Sequence, residues 1–304
     1  MFITKRKGEC MQKRKTIAAT NDLIFKKVFA SPENSHILIG FINDVLDLGV
    51  TEVTIENTYN IKTFYNEDGT PNTKYTQVDV LARLKGGSLV NVEMQVCKQS
   101  WLRERVLFYA AETFASNYAK KDQENIDKRY SKNEWKYSAL RPVYSICILV
   151  ENEFEDTNPI HTFHLYDKEH DLSYKSRYDE ELITMVFLEL EKSSGKVDKN
   201  IKEWFEYFRT GEVSEDAPKY MQQACEVASC HNLEREEMDM ISAREKAEQD
   251  ALAREHYVRM QGKEDGKAEG MLIIIQRMLA RGDSMDEIEE ITGLSKDAIE
   301  KLKK

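Results

Sequence analysis

Asp79, Glu93 and Gln95 fall in one short stretch, Thr76 to Val96, where they interrupt rows that are otherwise apolar. Side chains alternate across a strand, so Val78, Val80, Ala82 and Leu84 share one face while Gln77, Asp79, Leu81 and Arg83 share the other. After Gly86-Gly87, Val90, Val92, Met94 and Val96 oppose Leu89, Asn91, Glu93 and Gln95. If both apolar rows cover one core, odd residues must lie opposite odd residues, and Asp79 then faces Glu93 or Gln95. A symmetric two-residue turn at Gly86-Gly87 would instead set Asp79 against Met94. The pattern therefore asks for a three-residue turn with a bulge, to which glycine brings the positive φ. Two carboxylates converging beside a backbone carbonyl make an oxygen-rich site for a hard divalent ion such as magnesium. A solvated strand face carrying an unrelated Asp and Glu has the same spacing, so spacing alone leaves both readings open.

An Asp, a hairpin and then Glu-x-Gln resembles the PD-(D/E)xK nuclease superfamily, and Asn91-Val-Glu-Met-Gln95 is similar to the variant in its transposase-associated, recombination-promoting nucleases. Phe25-Lys-Lys-Val-Phe29 resembles that family's amino-terminal signature, Phe41 to Leu46 its first helix, and Arg105 to Ala110 its helix after the metal strand. Pro142 to Leu149, Phe163 to Tyr166 and Leu188-Glu-Leu190 continue the likeness, which runs over roughly residues 20 to 192 in order.

The resemblance implies a restriction-endonuclease-like α/β fold with an α-β-β-β-α-β core, here followed by a helical C-terminal appendage. It also implies a DNA endonuclease tied to mobile elements or recombination. In that mechanism Asp79, Glu93 and the Met94 carbonyl hold Mg2+, with Mn2+ as a substitute, and the ion polarises the scissile phosphate and lowers the pKa of a water. Gln95 stands where lysine is usual; an amide can orient a water but brings neither positive charge nor a useful base. A DNA-binding or protein-interaction module that kept the fold without the chemistry is the alternative. Lys26 and Lys27, in the amino-terminal motif, are implied DNA-backbone contacts. Arg105 could bind a phosphate or a site carboxylate, or simply form a surface ion pair. A further carboxylate from the first helix often completes such sites; Glu33, Asp44 and Glu52 are in range by sequence and nothing chooses between them.

The elements that must position these groups follow from periodicity. Glu33 to Asp47 carries Ile37, Leu38, Phe41, Ile42, Val45 and Leu46 at helical spacing, with Gly49 as a stop. Val53 to Tyr59 reads as a first strand, the hairpin at 76–97 as two more, and Ser100 to Lys121 as a helix. Residues 122–141 are a polar connection. Tyr144 to Glu151, His161 to Tyr166 and Leu182 to Glu189 are strand candidates. His161 and His164 fall on opposite faces and make no ligand pair. Beyond Ser193-Ser-Gly195, Ile201 to Phe208 and Met221 to Ala253 are helical, charged and weakly apolar. Gly262, Gly266 and Gly270 then recur every four residues, on one helical face or in a frayed linker. The end, from Met271, is similar to a helix-turn-helix, but its second helix offers mainly Lys296, Lys301, Lys303 and Lys304 amid acids and so reads as a docking hairpin. The expected division is a basic, disordered arm at 1–18, the nuclease-like core at 19–192, a helical extension at 193–260, and a glycine-spaced linker with helical hairpin at 261–304. The last helices offer a surface for a homo-oligomer.

A chain of 304 residues with 41% hydrophobic content can bury a full core. Its five cysteines, without a Cys-x-x-Cys pair, argue against a disulfide framework or zinc ribbon and for reduced, cytoplasmic thiols. Cys225, Cys230 and His231 on one helix cannot readily enclose a zinc ion. No apolar run approaches the ~20 residues of a membrane span, and no signal-peptide pattern follows the basic start. The net charge of -10 hides an asymmetry, because in residues 1–27 eight basic side chains against two acidic ones leave +6. Such an arm either engages phosphates or keeps a tail soluble. No phosphate-cradling glycine loop and no serine-nucleophile motif is present, which removes nucleotide hydrolysis and acyl transfer.

Overall fold

The computed structural model describes residues 19–56, 59–65, 71–118, 137, 139–176, 179–192, 195, 197–229 and 233–302. The basic arm, most of the 122–141 connection, Cys230, His231, Lys303 and Lys304 lie outside them. The fold divides into two units, Met1–Met238 and Asp239–Lys304.

The first unit opens with α1 (Asp22–Phe29) and α2 (Ser35–Leu46), joined by a short 3-10 turn. Then come β1 (Val53–Ile55), β2 (Tyr59–Tyr65), β3 (Pro71–Gln77), β4 (Val80–Leu84), β5 (Leu89–Gln95), α3 (Leu102–Ser116) and β6 (Val143–Leu149). After these follow β7 (Ile160–His164), β8 (Tyr166–Asp167), β9 (Leu172–Ser173), β10 (Ile183–Glu189), α4 (Lys199–Thr210) and α5 (Lys219–Val227). Six strands form one mixed sheet in the order β1-β4-β5-β6-β10-β7. β5, β6 and β10 run parallel at its centre, β1 and β4 continue antiparallel on one side, and β7 is antiparallel at the other edge. This mixed sheet with flanking helices is the α/β architecture expected of a restriction-endonuclease-like fold.

The β2–β3 hairpin is an addition to the strand pattern read from sequence, which foresees one strand over Val53–Tyr59 and the next from Thr76. Segment 71–77 is too polar to show an apolar row, and the alternation of 59–65 breaks at Phe64-Tyr65, so their pairing was not evident from a hydrophobic pattern. Likewise, the single helical stretch expected over Met221–Ala253 is two helices, α5 and a later one, interrupted after Val227.

Both sheet faces are covered. Leu102, Val106 and Ala110 of α3 pack on the odd-numbered row that includes Leu89, Val143, Cys147, Leu149 and Phe187. The even-numbered row, Val80, Ala82, Val90, Val92, Ile146, Ile148, Val186 and Leu188, is buried as well. Buried strands explain why β6 and β10 read as nearly continuous apolar runs.

α1 starts at an Asn21 cap whose side-chain oxygen accepts from the Leu23 and Ile24 N–H groups. Its apolar face, Ile24, Phe25, Val28 and Phe29, enters an aromatic cluster with Phe41 of α2 and Trp204 and Phe208 of α4. Asp44 of α2 fastens the same helices, accepting from Trp204 Nε1 at 2.8 Å, Asn200 Nδ2 at 2.8 Å and the Tyr220 hydroxyl at 2.9 Å. The first helices beyond residue 193 are thus part of the core that holds α1.

In the second unit, α6 (Arg235–Arg281), which begins just before the division, contains Gly262, Gly266 and Gly270 within its helical run. α7 (Met285–Thr292) has a Ser284/Glu287 capping box and ends at Gly293, and α8 (Lys296–Leu302) follows. Ile275, Met278, Ile288 and Ile299 form their small core.

Candidate active site

The hairpin that carries the acidic residues adopts the odd-to-odd register. Val80 pairs with Val92, Leu81 with Asn91, Ala82 with Val90 and Arg83 with Leu89. The Leu84 N–H donates to the Ser88 carbonyl, which leaves Lys85, Gly86 and Gly87 as a three-residue turn. Gly86 at φ 107° and Gly87 at φ 96° take the backbone conformations that other residues avoid.

Continued one step outward, the register sets Asp79 across from Glu93. Asp79 lies just before β4, in the bend after β3, and its Oδ2 accepts the Met94 N–H at 3.0 Å. That bond satisfies a strand-end donor and fixes the carboxylate beside Glu93. The Met94 carbonyl belongs to the same strand end. Burial, followed by the neighbouring Asp79 charge, raises the Glu93 carboxyl to about 7, against a pull downward from Arg105. Burial likewise raises Asp79, offset by its bond to Met94. Both groups therefore resist holding two bare negative charges.

α3 lies over this face. Asn91, two residues before Glu93, is buried and donates to Thr113 Oγ1 at 3.0 Å and to Ser145 Oγ at 3.4 Å. Arg105, Tyr109 and Thr113 recur every four residues along one side of the helix, so the Asn91–Thr113 bond helps fix where Arg105 sits relative to Glu93. Arg105 also lies 5.6 Å from the centre of the Tyr109 ring. Gln95 shares the Glu93 face, but its amide nitrogen donates to the Cys97 carbonyl at 2.7 Å. Arg83, the basic residue on the Asp79 strand face, pairs with Glu56.

The two lysines of the amino-terminal motif diverge. Lys26 Nζ is 2.9 Å from Asp22 and 3.7 Å from Asp79. Lys27 Nζ bonds Glu237 at 2.6 Å, so the structure does not bring it to the carboxylates. Arg103 likewise pairs with Glu153. None of the three first-helix carboxylates considered from sequence reaches the site. Asp44 is held by α4 and α5, Glu52 pairs with Lys85, and Glu33 is exposed. Asp22 is the acidic side chain that joins the group, through Lys26 and through its repulsion of Asp79. Its sequence signal was the four-residue spacing from Lys26 on a capped helix.

Among the described residues no cluster of three or more His, Cys, Asp or Glu side chains is arranged to hold an ion. The oxygens expected from sequence to serve as donors are two carboxylates and a carbonyl, all hard. That set fits a magnesium-like ion, which keeps several waters and takes one or two protein carboxylates.

A carboxylate from the bend before β4, a second from β5, an arginine of α3 and a lysine of α1 converge at one end of the sheet. A family model described as PD-(D/E)XK nuclease family transposase matches residues 19–257. No curated protein and no solved structure matches the chain.

Proposed function

We propose, from the premise that this chain belongs to the PD-(D/E)XK nuclease family of transposases, that it is a DNA endonuclease using a divalent ion to hydrolyse phosphodiesters. The observation that carries this reading is the meeting of Asp79 and Glu93 at the open end of the hairpin, set by the strand register and the Asp79–Met94 bond, where the Asp79 charge adds to burial in raising Glu93. Asp79, Glu93 and the Met94 carbonyl would hold magnesium, or manganese in its place. When bound, the ion supplies Lewis-acid polarisation of the phosphate and lowers the pKa of water.

The protein's own groups do the rest. Arg105 balances charge at Glu93. Gln95 keeps its amide oxygen available to accept from a water, while its nitrogen is committed to Cys97. Hydrolysis forms one bond from the water oxygen to phosphorus and breaks one P–O ester bond. The water loses a proton to solvent, and the departing alkoxide gains one.

One observation favours a second reading, a DNA-binding module without the chemistry: Gln95 brings no charge and its donor is occupied. Plasmid incubation with magnesium, manganese or a chelator separates the two. The nuclease reading expects ion-dependent nicking, lost in Asp79→Ala and Glu93→Ala, and an ion-induced rise in melting midpoint that is larger in wild type than in Asp79→Ala. Salt-sensitive DNA binding without cleavage, unaffected by either substitution, would establish the silent module.

A further inference from the structure

We infer that Lys26, reaching from α1, supplies at the carboxylate pair the positive charge that the Gln95 position lacks; this rests on the nuclease reading above. The need is set by Gln95, which is neutral and turned to the Cys97 carbonyl. Among the described residues, Lys26 is the cation within ion-pair distance of Asp79, at 3.7 Å. Asp22, one turn earlier on the helix, holds its ammonium at 2.9 Å.

The placement is built rather than incidental. α1 is locked by its buried Phe25 and Phe29 and its Asn21 cap, so the Lys26 stem leaves the helix toward the hairpin. Its side chain is 31% exposed, enough to reach a ligand lying over the carboxylates. The adjacent Lys27 shows what a structural lysine on this helix looks like. It makes a two-oxygen ion pair with Glu237, and its carbonyl accepts from Asn34. Lys26 is instead paired with Asp22 of its own helix at 2.9 Å, and its contact with Asp79 at 3.7 Å is too long for a hydrogen bond, so a phosphate oxygen can displace it. Throughout the reaction the ammonium keeps its protons. It bonds a non-bridging phosphate oxygen while the P–O ester bond breaks and its electron pair leaves with the alkoxide.

The test compares wild type, Lys26→Met, Lys26→Arg, Gln95→Lys and the double variant Lys26→Met/Gln95→Lys. Lys26→Met should lower magnesium-dependent plasmid cleavage by about 10²–10³-fold, the usual cost of removing one electrostatic stabiliser. Lys26→Arg should retain most of the rate, and the double variant should regain at least about tenfold over Lys26→Met. A calorimetric calcium titration reads the placement without turnover, since loss of a neighbouring positive charge should tighten ion binding several-fold. Cleavage by Lys26→Met at the wild-type rate, or no recovery in the double variant, overturns the inference and leaves the nuclease reading intact. A wild type inactive with every ion overturns the nuclease reading itself. In that case equal calcium affinity in wild type and Lys26→Met would also remove Lys26 from the site.

Discussion

Glu93 behaves unlike a surface glutamate because burial and Asp79 together raise its carboxyl from 4.5 to about 7. The folded state therefore binds a proton more tightly than the unfolded chain, and the stability this contributes is fully present below pH 4.5 and lost as pH rises through 7. The difference is on the order of 3 kcal/mol. The melting midpoint of the ion-free protein should fall between pH 5 and 8, and Glu93→Gln should flatten that slope. A midpoint that rises over the same range would mean that Glu93 is not buried beside a like charge. Asp79 and Glu93 were legible in the sequence because a period of two survives whatever packs against the strand. The convergence of Asp22 and Lys26 on them was not, since it depends on how a helix some fifty residues away docks. Nor could sequence separate Lys26 from Lys27, because the Glu237 partner that occupies Lys27 lies about 210 residues later.

At the scale of elements, the hairpin register and three-residue turn follow from the two apolar rows and the paired glycines. The helices α2 and α3 were likewise readable from their periodicity, whereas the stretch that forms α1 was read only as a likeness to a family signature. The contribution of α4 was harder, since its charged face masks Ile201, Trp204, Phe205 and Phe208, all of which are buried. Tyr220 of α5 lies so close to α2 that a Cβ on Gly40 would fall 2.4 Å from its ring. In an open helix Gly→Ala gains up to about 1 kcal/mol, but overpacking typically costs about 1–3 kcal/mol. The ring has little room to retreat, because its hydroxyl is bonded to Asp44 at 2.9 Å. Gly40→Ala should therefore lower the melting midpoint, and should cost much less in a Tyr220→Leu background. An equal penalty in both backgrounds would show that the clash is not with Tyr220.

In the whole molecule the second unit has a small core of its own. Among the described residues, the hairpin core of the second unit holds four buried apolar residues, including Ile288 and Ile299, both fully buried. Ile288→Ala removes about 2–5 kcal/mol from a core that small. Calorimetry should then show the helical hairpin melting early, while the main transition and its response to magnesium stay as in wild type. A main transition lowered by the same amount would mean that both units unfold as one. The core of the first unit is assembled from distant parts of the chain, with Phe29 packed 5.7 Å from Trp204 and Phe25 6.4 Å from Phe208. That arrangement has a consequence during synthesis. The acidic hairpin leaves the ribosome complete by Gln95, but the aromatic bed for α1 is finished only roughly 110 residues later. At about 5–20 residues per second the interval is on the order of ten seconds. A nascent chain thus carries its carboxylates before it can seat the helix that bears their cation, and translation itself delays the moment at which the carboxylate site is complete.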